Sequence, residues 1–194
     1  ITDMSKLPNN FLGVHVCRDP RDVIVSGYLY HCRTTEKWCT NENLSTSLPI
    51  IFPRVPYSLQ HRPEEFKIEY IKSLKSKSYQ NNLNDLSKGD GLLFEMENYG
   101  AWTIEAMRRW NYEDNRILEI KFEDIMQNFD ESFSNIFKFL DLANLTNLDI
   151  IKASQEHDIG RKSNEELNLM NHVSSKKTSK WKEYFKKSHV DRFN

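Results

Sequence analysis

The chain has 194 residues, enough for one ordinary domain with its own core. Lys and Arg number 27 against 28 Asp and Glu, a formal net charge of −1 that lacks the basic excess of a general nucleic-acid binder. With 38% hydrophobic and 28% charged residues the chain is a folding sequence rather than a disordered one, and no apolar run reaches the roughly 20 residues of a membrane span.

Phe11 to Arg18 is a short Val-rich run that predicts a buried parallel strand. It ends in Asp19-Pro20, an N-cap followed by a residue whose missing N–H is no loss at the first helical position. A helix is predicted from there through Val23, Ile24, Gly27 and Tyr28 to about His31. Residues 34–63, with Pro49, Pro53, Pro56 and Pro63, read as a long irregular segment, of the kind that forms a functional lid or stays partly disordered. Tyr28, Tyr30, Trp38 and this proline-rich stretch form either the wall of an acceptor pocket or core and lid packing.

Helical spacing resumes at Glu64, with Phe66, Tyr70 and Leu74 on one face. Lys88-Gly89-Asp90-Gly91 is read as a break. Beyond it Met96, Tyr99, Thr103, Ala106 and Trp110 predict a second amphipathic helix. Arg116 to Phe122 alternates as a strand, and Phe129, Phe133, Ile136, Phe137 and Leu140 give the clearest helix of all. The last fifty residues read as short helices and loops, with a basic stretch from Lys176 to Lys187. No repeat or domain boundary is visible, so residues 1–194 are taken as one domain. Strands separated by helices indicate an α/β fold with a parallel sheet. Two strands do not make a stable parallel sheet, which suggests that part of the domain precedes Ile1.

Cys17, Cys32 and Cys39 are odd in number and lack CxxC spacing, which points to a reducing compartment. His31, Cys32, Cys39 and His61 match no usual zinc spacing, and no metal is expected. His15, between Val14 and Val16, is expected to be packed with one nitrogen hydrogen-bonded. His31 is read as a histidine at a helix C-terminus, favoured there by the dipole. The sequons at Asn43 and Asn144 are taken as chance in an Asn-rich chain.

The informative stretch is Arg18-Asp19-Pro20-Arg21-Asp22-Val23-Ile24-Val25-Ser26. It places an arginine at a strand's carboxyl end and a helix N-terminus directly after it. Free N–H groups and the positive dipole end attract phosphate there, and Arg18 supplies a bidentate, charge-assisted contact. Ser26 lies about two turns into the helix. The competing reading is that Arg18, Asp19, Arg21 and Asp22 only pair with one another.

This stretch closely resembles the 3′-phosphate-binding motif of the sulfotransferases, which take a sulfonate from 3′-phosphoadenosine-5′-phosphosulfate. Three further stretches follow in that family's order. Ile117 to Asp124 resembles its strand ending in Tyr-Glu-Asp, with Phe122 in place of Tyr, and Phe137-Lys138-Phe139-Leu140 resembles the close of the next helix. Lys176 to Phe185 resembles an Arg-Lys-Gly loop before a Trp-Lys-x-x-Phe helix.

The resemblance implies an α/β fold, P-loop-like and three-layered, with a central parallel sheet flanked by helices. It implies that Arg18 and Ser26 hold the 3′-phosphate, with Lys176 and Lys177 beside them if a two-residue deletion is allowed; strict spacing would put Ser174 and Ser175 there. Phe122 either stacks by adenine or is a core residue. Asp3 stands where the family's catalytic His is found, and is either the base or a simple exposed carboxylate.

The family's phosphosulfate loop would lie before Ile1, so the chain is read as a C-terminal fragment lacking it. The co-substrate is the phosphosulfate donor and the acceptor a small molecule or glycan. A cytoplasmic location follows, unless a Golgi anchor lies upstream. The family's dimer motif has only a faint echo in Lys182 to Asp191, which leaves a homodimer open. A non-catalytic nucleotide-binding or interaction module on the same fold is the alternative, and a P-loop kinase relative a third reading.

Overall fold

The computed structural model describes residues 6–142, 147–170 and 176–194. The chain divides into two compact units, one of Ile1–Asp22 with Arg109–Ser179, the other of Val23–Arg108 with Lys180–Asn194. The architecture is helix-rich with a small parallel sheet, as an α/β reading requires.

In the first unit β1 (Gly13–Cys17) pairs parallel with β2 (Ile117–Lys121), and His15 faces Glu119 in the register. The expectation of a buried strand is corrected: Val16 is 47% exposed, and the other β1 residues are half-buried. Among the described residues each strand has one partner. Asp114 fixes the start of β2 by accepting from both the backbone N–H and the side chain of Arg116. The chain then turns into α7 (Phe122–Gln127) and α8 (Phe129–Phe139), and continues through α9 (Asn147–Gln155) and α10 (Asn164–Asn168). Phe129 and Phe133 stack with centroids 4.3 Å apart, and Ile136 is buried on the same stripe, as the sequence predicts.

His15 is also as expected. Its Nδ1 lies 2.6 Å from Glu119, whose other oxygen accepts from the Trp110 indole at 2.6 Å.

Helix α1 (Pro20–His31) begins at the predicted proline and ends at the predicted histidine. Its continuation from Val23 belongs to the second unit, with α2 (Lys37–Thr40), α3 (Glu64–Ser73), α4 (Tyr79–Asp85), α5 (Lys88–Glu97), α6 (Tyr99–Arg108), α11 (Trp181–Tyr184) and α12 (Lys187–Phe193). Ile24, Val25, Tyr79, Leu83 and Leu92 are at the centre of its core.

Three expectations are corrected here. The proline-rich segment is no free lid: Ile50, Val55 and Leu59 within it are fully buried in that core. Lys88-Gly89-Asp90-Gly91 is no break but the first turn of α5, because Ser87 caps it by accepting from the Asp90 N–H. The helix expected across residues 96–110 is two helices, interrupted at Asn98, whose backbone leaves the helical region at φ −113°, ψ −103°. Of the aromatic residues considered for an acceptor wall, Tyr28 and Trp38 are buried in this core.

The polar centre of the same core is unusual. Glu95 is fully buried, and its Oε2 accepts from His31 Nδ1 at 2.9 Å and from the Tyr79 hydroxyl at 2.8 Å. Burial and the Glu95 carboxylate push the Tyr79 phenol well up, which keeps it a donor. Glu95 Oε1 has no hydrogen-bond partner and points at Gly27, where an added Cβ would lie 2.7 Å from it.

The three cysteines are free thiols. Burial, reinforced by Glu95, raises the Cys39 thiol far out of the physiological range, and the fully buried sulfur is out of reach of reagents. Thiol titration of the native protein should label Cys17 and Cys32 and leave Cys39 unmodified until denaturant is added. Three equivalents reacting rapidly in buffer would contradict this packing.

Candidate functional site

Arg18 follows β1 directly, and Phe122 follows β2. Because the strands run parallel in register, the two residues emerge at the same end of the sheet. The Arg18 guanidinium lies over the Phe122 ring, 4.6 Å from its centroid. A cation over an aromatic face is attracted by the ring, and the planar guanidinium carries the forked donors that take a phosphate bidentately. Phe122, half-buried, therefore contacts the arginine of the motif.

The turn into α1 is built from the same few residues. Asp19 Oδ1 accepts from the Arg21 N–H at 2.9 Å, the predicted cap. The Arg21 side chain grips the same carboxylate at 2.9 and 2.6 Å. Burial pushes Asp19 up, but the bonds from Arg21 outweigh it and leave the carboxyl below its ordinary value. The Asp19 N–H is 3.4 Å from Glu123 Oε1, which joins the start of α7 to the turn. Pairing within the motif thus holds for Asp19 with Arg21. Asp22 also reaches outside the motif: it is 1% exposed, and its Oδ2 accepts from the Ser179 N–H at 2.6 Å.

Ser179 belongs to the basic segment near the C-terminus. Lys176 and Lys177 are exposed there, and Lys176 Nζ donates to the Gly160 carbonyl at 3.0 Å. Ser26 is half-buried on α1 and belongs to the second unit. Asp3, Ser174 and Ser175 lie outside the described residues. Arg18, Phe122 and the Lys176–Ser179 segment are thus parts of one compact unit, drawn from three separate stretches of the chain.

Arg18 and the exposed lysines supply positive charge of the kind that suits an anion, while the Arg21 N–H at the start of α1 is already taken by Asp19. Sequence reasoning missed Asp22 as a link, although its place at the third position of α1, after Pro20 and Arg21, was a signal. It also missed Glu95, a carboxylate standing on the apolar stripe of Leu92, Met96 and Tyr99.

Among the described residues no group of three or more His, Cys, Asp or Glu is placed to hold a metal ion, and no helix is long and apolar enough to cross a membrane. A family model described as a sulfotransferase domain matches residues 6–194. No curated protein and no solved structure matches the chain.

Proposed function

The chain belongs to the sulfotransferase family, and on that premise we propose that it serves transfer of a sulfonate group from 3′-phosphoadenosine-5′-phosphosulfate to a hydroxyl or amine of a small-molecule or glycan acceptor. The family in general uses this donor. The observation that carries the reading is the Arg18 guanidinium seated on Phe122 where two parallel strands end.

Arg18, Ser26, Lys176 and Lys177 hold the 3′-phosphate in this reading, the arginine as a planar fork and the lysines as point charges. Phe122 keeps the arginine in place and offers an apolar edge to adenine. The acceptor oxygen or nitrogen attacks sulfur in line, forming the new S–O or S–N bond. The bond to the 5′-phosphate oxygen breaks, and adenosine 3′,5′-bisphosphate leaves. Asp3 is the candidate to take the acceptor's proton. Positioning and neutralisation of the leaving phosphate carry the rate. Three free thiols agree with a reducing, cytoplasmic setting.

Calorimetric titration separates the parts of this reading. Adenosine 3′,5′-bisphosphate should bind at least about tenfold more tightly than adenosine 5′-phosphate, the return on one charge-assisted contact. Equal affinities would remove the 3′-phosphate assignment. Preference for the bisphosphate without transfer to any acceptor panel would favour the non-catalytic module.

A further inference from the structure

Asp22 is a carboxyl group taken almost entirely out of water, and such burial is costly unless it is matched by a good hydrogen bond. One such bond comes from the backbone N–H of Ser179, 157 residues away. Ser179 itself is held at φ 58°, in the left-handed region that side chains with a Cβ avoid. Something must hold it there, and the Asp22 bond, at 2.6 Å, is placed to do so. A second tether lies three residues earlier, where Lys176 Nζ donates to the Gly160 carbonyl. Gly160 is itself fixed, its N–H donating at 2.7 Å to Asp158, a buried carboxyl that also takes Arg161. Lys177 lies between the two fastened points and is exposed. Asp22 stands four residues after Arg18, on the first turn of the helix that follows it.

We propose that Asp22 is a positioning residue for the anion site: by clasping the Ser179 N–H it fixes the left-handed turn that carries Lys177, and so couples the C-terminal lysines to the strand end bearing Arg18. This rests on the reading of Arg18, Lys176 and Lys177 as 3′-phosphate ligands. Asp22 does not touch the nucleotide; it acts through the loop. The clasp joins the two stretches of sequence that would otherwise reach the phosphate independently, and it is strained at one end, so loss of either group releases the turn. Glycine adopts φ near 58° without cost. Ser179→Gly therefore keeps the turn accessible when the clasp is gone, which a purely structural role for Asp22 would not predict.

The test is titration of adenosine 3′,5′-bisphosphate and adenosine 5′-phosphate into the native protein, Asp22→Ala, Ser179→Gly and the double variant, with unfolding midpoints measured on each. Alanine leaves no acceptor for the Ser179 N–H, whereas an asparagine oxygen would still accept from it. Asp22→Ala should weaken the bisphosphate about tenfold and leave the monophosphate unchanged. On the Ser179→Gly background, where the turn needs no clasp, Asp22→Ala should cost less than about threefold in affinity, without any lost midpoint being regained. If the native protein does not prefer the bisphosphate, the phosphate assignment itself fails. If it does and Asp22→Ala keeps the same preference, the positioning role is overturned. Equal loss for both nucleotides, or recovery of affinity only together with the midpoint, overturns it as well. Should Asp22→Ala not fold, Asp22→Glu replaces it, since the extra methylene displaces the clasp while the acid stays at the helix start; the same pattern is required.

Discussion

Replacing Glu95 by alanine is expected to lower the stability of the protein by about 3–5 kcal/mol. The Glu95 side chain is completely buried and accepts two hydrogen bonds on one oxygen, from His31 and from Tyr79. Its removal leaves both donors without an acceptor in a core that admits no water, at about 1–3 kcal/mol each, and opens a void besides. A small domain holds only about 5–15 kcal/mol in all, so the loss is a large share.

Glu95→Gln should behave differently. Its amide oxygen can occupy the Oε2 position and keep both donors, while its NH2 takes the place of Oε1, the oxygen with no partner. The penalty is then about 1–2 kcal/mol, that of one unsatisfied donor. Denaturant titration, read as a shift in midpoint at constant slope, measures both. Equal losses for the two substitutions would show that this arrangement of donors does not hold the core.

Arg18→Ala is expected to weaken binding of adenosine 3′,5′-bisphosphate by about 10- to 100-fold, the worth of a hydrogen-bonded contact between two charged groups at about 1.5–3 kcal/mol. Affinity for adenosine 5′-phosphate should be unchanged. Arg18→Lys keeps the charge but loses the guanidinium contact with Phe122 and the forked donors, and should fall between the native protein and Arg18→Ala. Phe122→Ala should give a partial loss by the same route, since it removes the ring over which the guanidinium lies. An affinity for the bisphosphate unaltered by Arg18→Ala would take the arginine out of the site.

What could be read from the sequence was what neighbours along the chain decide. Asp19 caps α1 because the next residues are Pro20 and Arg21. The α8 stripe follows from Phe129, Phe133 and Ile136 at helical spacing, and the two strands were each recognisable in isolation. The misreadings come from competition between local signals or from contacts distant in sequence. Gly89 and Gly91 looked like a break, yet the Ser87 cap outweighs their flexibility. Gly91 is required there because a Cβ would lie 2.9 Å from the Tyr28 ring. Ile50, Val55 and Leu59 carry no periodicity and sit among prolines, so nothing local marks them as core.

The site shows the same division. Arg18 is legible from its place between a strand and a helix start. Its seat on Phe122 depends on the pairing of β1 with β2, and the bond from Ser179 to Asp22 on the return of the chain 157 residues later. No spacing rule links such positions.

Gly27 bears on how the motif helix can be altered. Alanine in the interior of an α-helix is ordinarily worth about 1 kcal/mol over glycine, so a helix optimised residue by residue would carry alanine here. The carboxylate tip opposite is not a yielding side-chain end, because His31 and Tyr79 hold it and the core encloses it. A methyl group 2.7 Å from that oxygen must displace the whole cluster, and the sign of the substitution reverses. The flexibility of this glycine is incidental; the position is reserved for the smallest side chain by an oxygen that needs the space.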